Sequence, residues 1–271
     1  MAYDDLRDYI RALDAAGKLQ RITRPVDKDW EISAVGKRMF QRIPDAKRRA
    51  LLFENVRGYS IPVAAGVLGA SRSVYALAMS TEPEHILEHW ENALRNPIPP
   101  ETVSNGPCKE NVLTGEDVDL NRFPVPIWTV GQDPDPYLTA PQVVTMDPET
   151  KERNVGTYRI QVKGRNRTGI FLSWPQHGNL HFRKYEALGE RAPIAIVLGS
   201  EPCSGLCSVS KVPAKMDEFA VAGGLRGKPL ELVRCETVPL YVPAHAEIVI
   251  EGWIDPGYRE QEGPFGEYTG Y

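Results

Sequence analysis

Asn154-Val-Gly-Thr-Tyr-Arg-Ile-Gln-Val-Lys-Gly164-Arg-Asn-Arg-Thr-Gly-Ile-Phe-Leu-Ser-Trp174 alternates apolar and polar residues on both sides of a short polar turn. Its arms, residues 157–162 and 169–174, flank Gly164-Arg165-Asn166-Arg167, a composition that predicts a β-hairpin. Working outward, residues 193–198, 230–235 and 247–253 are rich in Ile and Val and read as further strands. A helix fits residues 180–188, stopped by Gly189, and another fits 215–225. These elements predict a barrel-like β domain with helices laid into it. Towards the N-terminus the pattern changes. Residues 4–16 form an amphipathic helix with Leu6, Ile10 and Leu13 on one face and Gly17 as its stop. A strand over 19–22 and a helix over 30–42 follow. Residues 51–56 and 61–67 pair as strands, and 71–79 and 83–94 are helical, with Pro83 in a first helical turn. Prolines punctuate the chain at 97–100 and again across 123–141. The expectation is an α+β protein: a mixed α/β domain over 1–110, then the β-rich domain over 111–271.

A chain of 271 residues is long enough for two compact domains. Its hydrophobic share of 42% and charged share of 25% are those of an ordinary globular protein. The formal charge of -4 argues against a general nucleic-acid binder, which needs a basic face. No apolar run approaches the roughly 18–20 residues of a membrane span. The acidic, amphipathic N-terminus is unlike a signal peptide. Cys108, Cys203, Cys207 and Cys235 make no CxxC pair, so reduced thiols and a cytoplasmic location are expected.

Several segments could carry chemistry. Lys151, Arg153, Arg159, Lys163, Arg165 and Arg167 make the hairpin locally basic, which suits either an anionic ligand or a solvated face. Arg159 sits where the alternation buries one face, and a buried arginine needs a partner. In Glu260-Gln-Glu262-Gly-Pro-Phe-Gly-Glu267, two glycines and a proline hold an irregular loop between carboxylates. Such a loop can aim both acids into one pocket and raise one pKa, or it is a Gly-Pro turn with incidental acids. His177, in Pro175-Gln-His177-Gly-Asn-Leu-His181, is expected at a strand-to-loop junction, as a metal ligand or a hydrogen-bonded loop residue. Glu218 starts an apolar helical run that could bury its carboxylate. Asn, His and Glu together suit Mn²⁺ or Mg²⁺. His85-Ile-Leu-Glu88-His89 matches an inverted zinc-peptidase spacing, but it lies in a short surface helix and reads as structural.

The ordered set Asn154-Val-Gly-Thr-Tyr-Arg159, Pro175-Gln-His177, Glu218 and Glu262-Gly-Pro-Phe-Gly-Glu267 resembles the UbiD family of reversible decarboxylases, as do residues 227–236, 242–252 and 5–10. The resemblance spans essentially the whole chain. It implies a split β-barrel flavin-binding domain over 111–271, and as cofactors prenylated FMN, Mn²⁺ (or Mg²⁺) and K⁺. By position, Asn154, His177 and Glu218 match the metal ligands that tie down the flavin phosphate. Thr157, Tyr158, Arg159, Gln176, Val209 and Ser210 match the flavin lining. Arg159 matches the arginine that holds the substrate carboxylate, Glu262 its partner, and Glu267 the acid that delivers a proton after CO₂ leaves. The implied partners are a small carboxylic acid, CO₂, a flavin prenyltransferase as cofactor supplier and, for a full-length protein, further copies of itself. Members of the family continue into a C-terminal α/β domain beyond the point where this chain stops. A non-catalytic flavin-binding subunit and a metal-dependent hydrolase built on Glu262 and Glu267 are the competing expectations.

Overall fold

The computed structural model describes residues 2–213 and 215–266. Asp5 accepts a hydrogen bond from the Asp8 amide and starts α1, Leu6–Ala15, which buries Tyr9 and Leu13. Gly17, at φ 66°, turns the chain into β1, Leu19–Ile22. The helix expected over 30–42 divides into α2, Glu31–Lys37, and a wider π turn, Arg38–Arg42. β2, Ala50–Phe53, runs parallel to β1, and β3, Val63–Ala65, completes the sheet antiparallel to β2. α3, Arg72–Ala78, is capped by Ser71, and α4, Ile86–Arg95, follows a 3-10 turn at Pro83–His85. Within that segment His85 meets Glu88 on the surface, while His89 bonds the Leu225 carbonyl at 2.9 Å, so the two histidines serve different contacts.

The rest of the chain is mostly strands. β4 is Glu101–Thr102, β5 Tyr137–Leu138, β6 Gln142–Met146 and β7 Arg153–Gly156. β8, Ile160–Gly164, and β9, Arg167–Ile170, form the expected hairpin with shorter arms. Then come α5, His177–Leu188, β10, Ala192–Leu198, α6, Pro202–Val209, and α7, Glu218–Arg226. β11, Glu231–Arg234, β12, Tyr241–Pro243, and β13, Ile248–Ile254, complete the described elements. The sheets run β13-β10-β6-β7, β5-β8-β9 and β12-β11-β4. Among the described residues these sheets are hydrogen-bonded separately, and the architecture they establish is α+β.

Three elements differ from expectation for identifiable reasons. α5 starts at His177, three residues before the helix read from the sequence, so His177 opens a helix and does not sit in a loop. α7 starts at Glu218 because Lys215 has a φ of 67°, a left-handed conformation that no helix contains. α6 was not expected. Its residues 202–208 are all buried, so it shows no amphipathic period.

The two halves share a core. Tyr9 and Leu13 of α1, Val74 and Ala78 of α3 and Ala93 of α4 pack with Cys203, Leu206 and Cys207 of α6 and Val221, Ala222 and Leu225 of α7. β4 pairs in parallel with β11, a further link between distant parts of the chain. Cys203, Cys207 and Cys235 are buried free thiols and Cys108 is half-buried.

Candidate functional site

β7 sits at the edge of its sheet and gathers the groups expected to bind a cation. Asn154 lies on it, 5% exposed. The amide of the next residue, Val155, donates to Glu218 Oε2 at 3.1 Å, which ties the first residue of α7 to the strand. Burial pushes the Glu218 carboxyl up to about 7; the Val155 amide and Arg153 pull the other way. A carboxylate so desolvated gains most from a nearby cation. Asn154 Nδ2 donates to Thr145 Oγ1 at 3.2 Å and to the Tyr158 hydroxyl at 3.3 Å. The same hydroxyl accepts from the amide of Gly178 at 3.1 Å, one residue beyond His177. Asn154 and Glu218 are thus linked through Val155, and the backbone next to His177 is tied to the same Tyr158 hydroxyl as Asn154. The His177 ring is exposed and makes no hydrogen bond among the described residues. No trio of His, Cys, Asp and Glu groups among the described residues could hold a metal; the set here holds one imidazole, one carboxylate and one amide. Both protons of the Asn154 amide nitrogen are spent inward, and its Oδ1 accepts no hydrogen bond among the described residues. That donor set fits a hard divalent cation.

The second group of residues lies on the β5-β8-β9 sheet. Arg159 immediately precedes β8, and its Nε and Nη2 donate to Glu262 Oε1 and Oε2, each at 2.8 Å. Side-chain exposures of 19% and 14% make this a largely buried pair with the two-pronged geometry that only a guanidinium provides. The Phe171 and Phe265 rings lie 4.3 and 5.3 Å from its Cζ. The loop bearing Glu262 is fastened at several points. Lys163 donates to the Gln261 carbonyl at 2.7 Å, Phe265 meets Tyr137 with ring centroids 4.5 Å apart, and the Gly266 amide donates to Asp133 at 3.2 Å. Burial, then the adjacent Glu262 carboxylate, raise the Tyr137 phenol. Glu267 lies outside the described residues.

Four other cations of the basic hairpin pair with three of the protein's own acids. Arg153 pairs with Asp217, Arg167 and Lys163 with Glu260, and Arg165 with Asp119. Lys151 donates to the Pro148 carbonyl at 2.7 Å, and Arg159 pairs with Glu262.

Thr157, Tyr158, Arg159, Gln176 and Val209 line one open cleft of about 2120 Å³ that also runs along β3 and α1. Val209 is 62% exposed there. Ser210 does not line it: its hydroxyl donates to the Leu206 carbonyl at 2.8 Å and closes α6. Ser208 does line it, with its Oγ 2.9 Å from Thr157 Oγ1 and its carbonyl accepting the Thr157 amide at 2.9 Å. Ser208, Tyr137, Asp133 and Thr145 were missed from the sequence. The one available signal for Ser208 was the Glu201-Pro202 start of its helix, a cap followed by a first-turn proline.

The class this geometry defines is an α+β protein with a buried amide and carboxylate joined across β7 and α7 and an arginine at the start of β8 paired with a carboxylate. Residues 101–271 match the 3-octaprenyl-4-hydroxybenzoate carboxy-lyase Rift-related domain, and residues 10–94 match the 3-octaprenyl-4-hydroxybenzoate carboxy-lyase N-terminal domain. The chain belongs to the UbiD family. Among solved structures it resembles an evolved dimeric form of the UbiD-class enzyme HmfF from Pelotomaculum thermopropionicum in complex with prFMN, at 41% identity and a TM-score of 0.92 over 99% of this chain and 61% of that one. It also resembles the closed form of vanillic acid decarboxylase from Sedimentibacter hydroxybenzoicus (33% identity, TM-score 0.91, 98% of this chain and 58% of that one). A third is the 3,4-dihydroxybenzoic acid decarboxylase of Enterobacter cloacae (31% identity, TM-score 0.84, 96% and 56%). The chain thus spans 56–61% of the length of these enzymes.

Proposed function

We propose that this chain carries the cofactor and carboxylate-binding half of a prenylated-FMN-dependent, reversible, non-oxidative decarboxylase. The observation that carries the reading is the buried, two-pronged Arg159–Glu262 pair set at the cleft, together with the amide and carboxylate of Asn154 and Glu218 on one strand edge. Asn154, His177 and Glu218 hold Mn²⁺ or Mg²⁺, which offsets the charge of the flavin phosphate. K⁺ is the second ion. Thr157, Tyr158, Arg159, Gln176, Val209 and Ser210 border the flavin, with Ser208 beside Thr157. The prenylated flavin, supplied by a prenyltransferase, provides an electron sink for the carbon that loses CO₂.

The protein's own residues do the rest. Arg159 presents a fixed cation to the substrate carboxylate, held against rotation by Glu262 and the two phenylalanine rings. Glu262 keeps the guanidinium aimed at the cleft. Glu267, the acid of the same sequence motif, donates the proton that replaces CO₂. At high CO₂ the same groups serve carboxylation. The substrate class is a small aromatic, heteroaromatic or α,β-unsaturated carboxylic acid, in keeping with the vanillic and 3,4-dihydroxybenzoic acid decarboxylases it resembles. A cytoplasmic site of action agrees with a chain in which no described helix is long and apolar enough to cross a membrane. We also assign the domains to 1–110 and 111–271, the second a split β-barrel, with homo-oligomers formed by the full-length protein.

The test is a titration with prenylated FMN, Mn²⁺ and K⁺, followed by flavin absorbance, beside His177→Ala and Glu218→Ala. Metal-dependent binding that both substitutions abolish is expected. Binding that ignores the metal, or survives both changes, overturns the assignment.

A further inference from the structure

We propose that Thr145 and His181 are positioning residues that set which end of the Asn154 amide faces the cation. The inference rests on the cation role given above to Asn154, and it concerns two side chains that role does not include. Thr145 on β6 is the direct cross-strand neighbour of Asn154 on β7. Its Oγ1 accepts from Asn154 Nδ2 at 3.2 Å and lies 3.0 Å from His181 Nδ1. Exposures of 6% for Thr145, 5% for Asn154 and 9% for His181 leave little room for water to substitute for any of the three.

Proton counting fixes the direction of this chain. A threonine hydroxyl has one proton to give. With its oxygen accepting from the Asn154 amide, that proton goes to His181 Nδ1, which must then be bare. The ring is neutral, with its hydrogen on Nε2. Desolvation keeps the ring neutral, lowering the His181 pKa to about 4, and the hydrogen bonds alone choose the tautomer. The second Asn154 proton goes to the Tyr158 hydroxyl. Both donors are consumed inward, so Oδ1 is the end left for a cation. Reversing the chain, with Nδ1–H donating to Thr145 and Thr145 donating to Asn154, would turn the amide round. An N–H would then face the metal position, where it repels. Groups that orient metal ligands in this way typically change metal affinity by about 10–100-fold when removed.

The experiment measures Mn²⁺ affinity in the presence of unmodified FMN, by electron paramagnetic resonance of the free ion. It compares the unaltered chain, Thr145→Val, Thr145→Ser and His181→Leu, with melting curves taken on each. Valine matches threonine in shape and removes the hydroxyl; serine keeps it. We expect Mn²⁺ affinity to fall about 10–100-fold in Thr145→Val and His181→Leu and to stay within about threefold in Thr145→Ser. Unchanged affinity in either folded variant lacking the relay overturns the inference and leaves the cation site standing. Should the unaltered chain bind no Mn²⁺ with FMN, the cation reading falls and this inference falls with it. A loss in Thr145→Ser as large as in Thr145→Val would also sink it, because packing rather than the hydroxyl would then be responsible.

Discussion

Arg159 gives up little freedom when a second anion approaches, because one carboxylate already fixes its Nε and Nη2 at 2.8 Å and two rings lie against it. That a buried arginine at this position needs a partner was legible from the alternation of its strand; the distance of 103 residues to Glu262 was not, since no local rule spans it. With both side chains under 20% exposed, the pair belongs to the buried class. Glu262→Ala should destabilise the fold by about 2–3 kcal/mol in urea unfolding, and a loss near zero would place the pair with surface salt bridges. His181 makes a prediction of opposite origin. Its pKa is lowered from 6.5 to about 4 by desolvation, with Asp147 and Glu152 pulling it up and His177 and Lys184 pushing it further down. The unfolded chain therefore binds the extra proton between those values. Stability is full above about pH 6.5 and falls as the pH drops towards 4, by about 3 kcal/mol in total. Melting temperatures across that range should show the slope in the unaltered protein and a shallower one in His181→Leu.

α6 shows why some elements escape a reading of sequence and others do not. α1 was plain because its apolar residues recur on one face above a polar one. α6 is buried from Pro202 to Ser208 and rich in Cys, Ser and Gly, so neither period nor propensity announces it. β6 is similar: a five-residue strand buried along nearly its whole length has no alternation to detect. What holds α6 in place is Glu201. Its carboxylate accepts from the Cys203 amide at 2.9 Å and the Ser204 amide at 2.6 Å, and lies 3.6 Å from Arg226 at the end of α7. Burial raises this carboxyl, while Arg226 and the two amides draw it down. Glu201→Ala removes the cap and the carboxylate nearest the buried Arg226, which keeps the Tyr3 and Pro229 carbonyls, for an expected cost of about 1–3 kcal/mol. Amide hydrogen exchange should localise the loss to α6; protection there equal to the unaltered protein would refute the role given to Glu201.

The molecule as a whole depends on close backbone contact where its halves meet. The segment after α4 crosses α7 so tightly that a Cβ on Gly223 would lie 2.3 Å from the Ile98 carbonyl oxygen, and one on Gly224 would lie 2.9 Å from that of Asn96. The Ile98 amide donates to the Ala220 carbonyl at 2.9 Å in the same crossing. Gly223→Ala should therefore cost about 1–3 kcal/mol through overpacking against an unyielding backbone. Gly69→Ala, which meets nothing within 4 Å, should change stability by less than about 0.5 kcal/mol. Equal effects in thermal unfolding would mean that the crossing can relax.

By itself the sequence determined the α+β class, the hairpin, the pairing of β2 with β3 and the ordered motifs that mark the UbiD family, because each rests on local periodicity or on residues near one another in the chain. Tertiary structure alone decided that α6 and α7 bury themselves among α1, α3 and α4, that the hairpin's cations meet the protein's own acids, and that Thr145 and His181 stand behind Asn154. The physical reason is the same in each case: burial and hydrogen-bond partnership are properties of space, and partners 36 to 103 residues apart leave no mark on the residues between them.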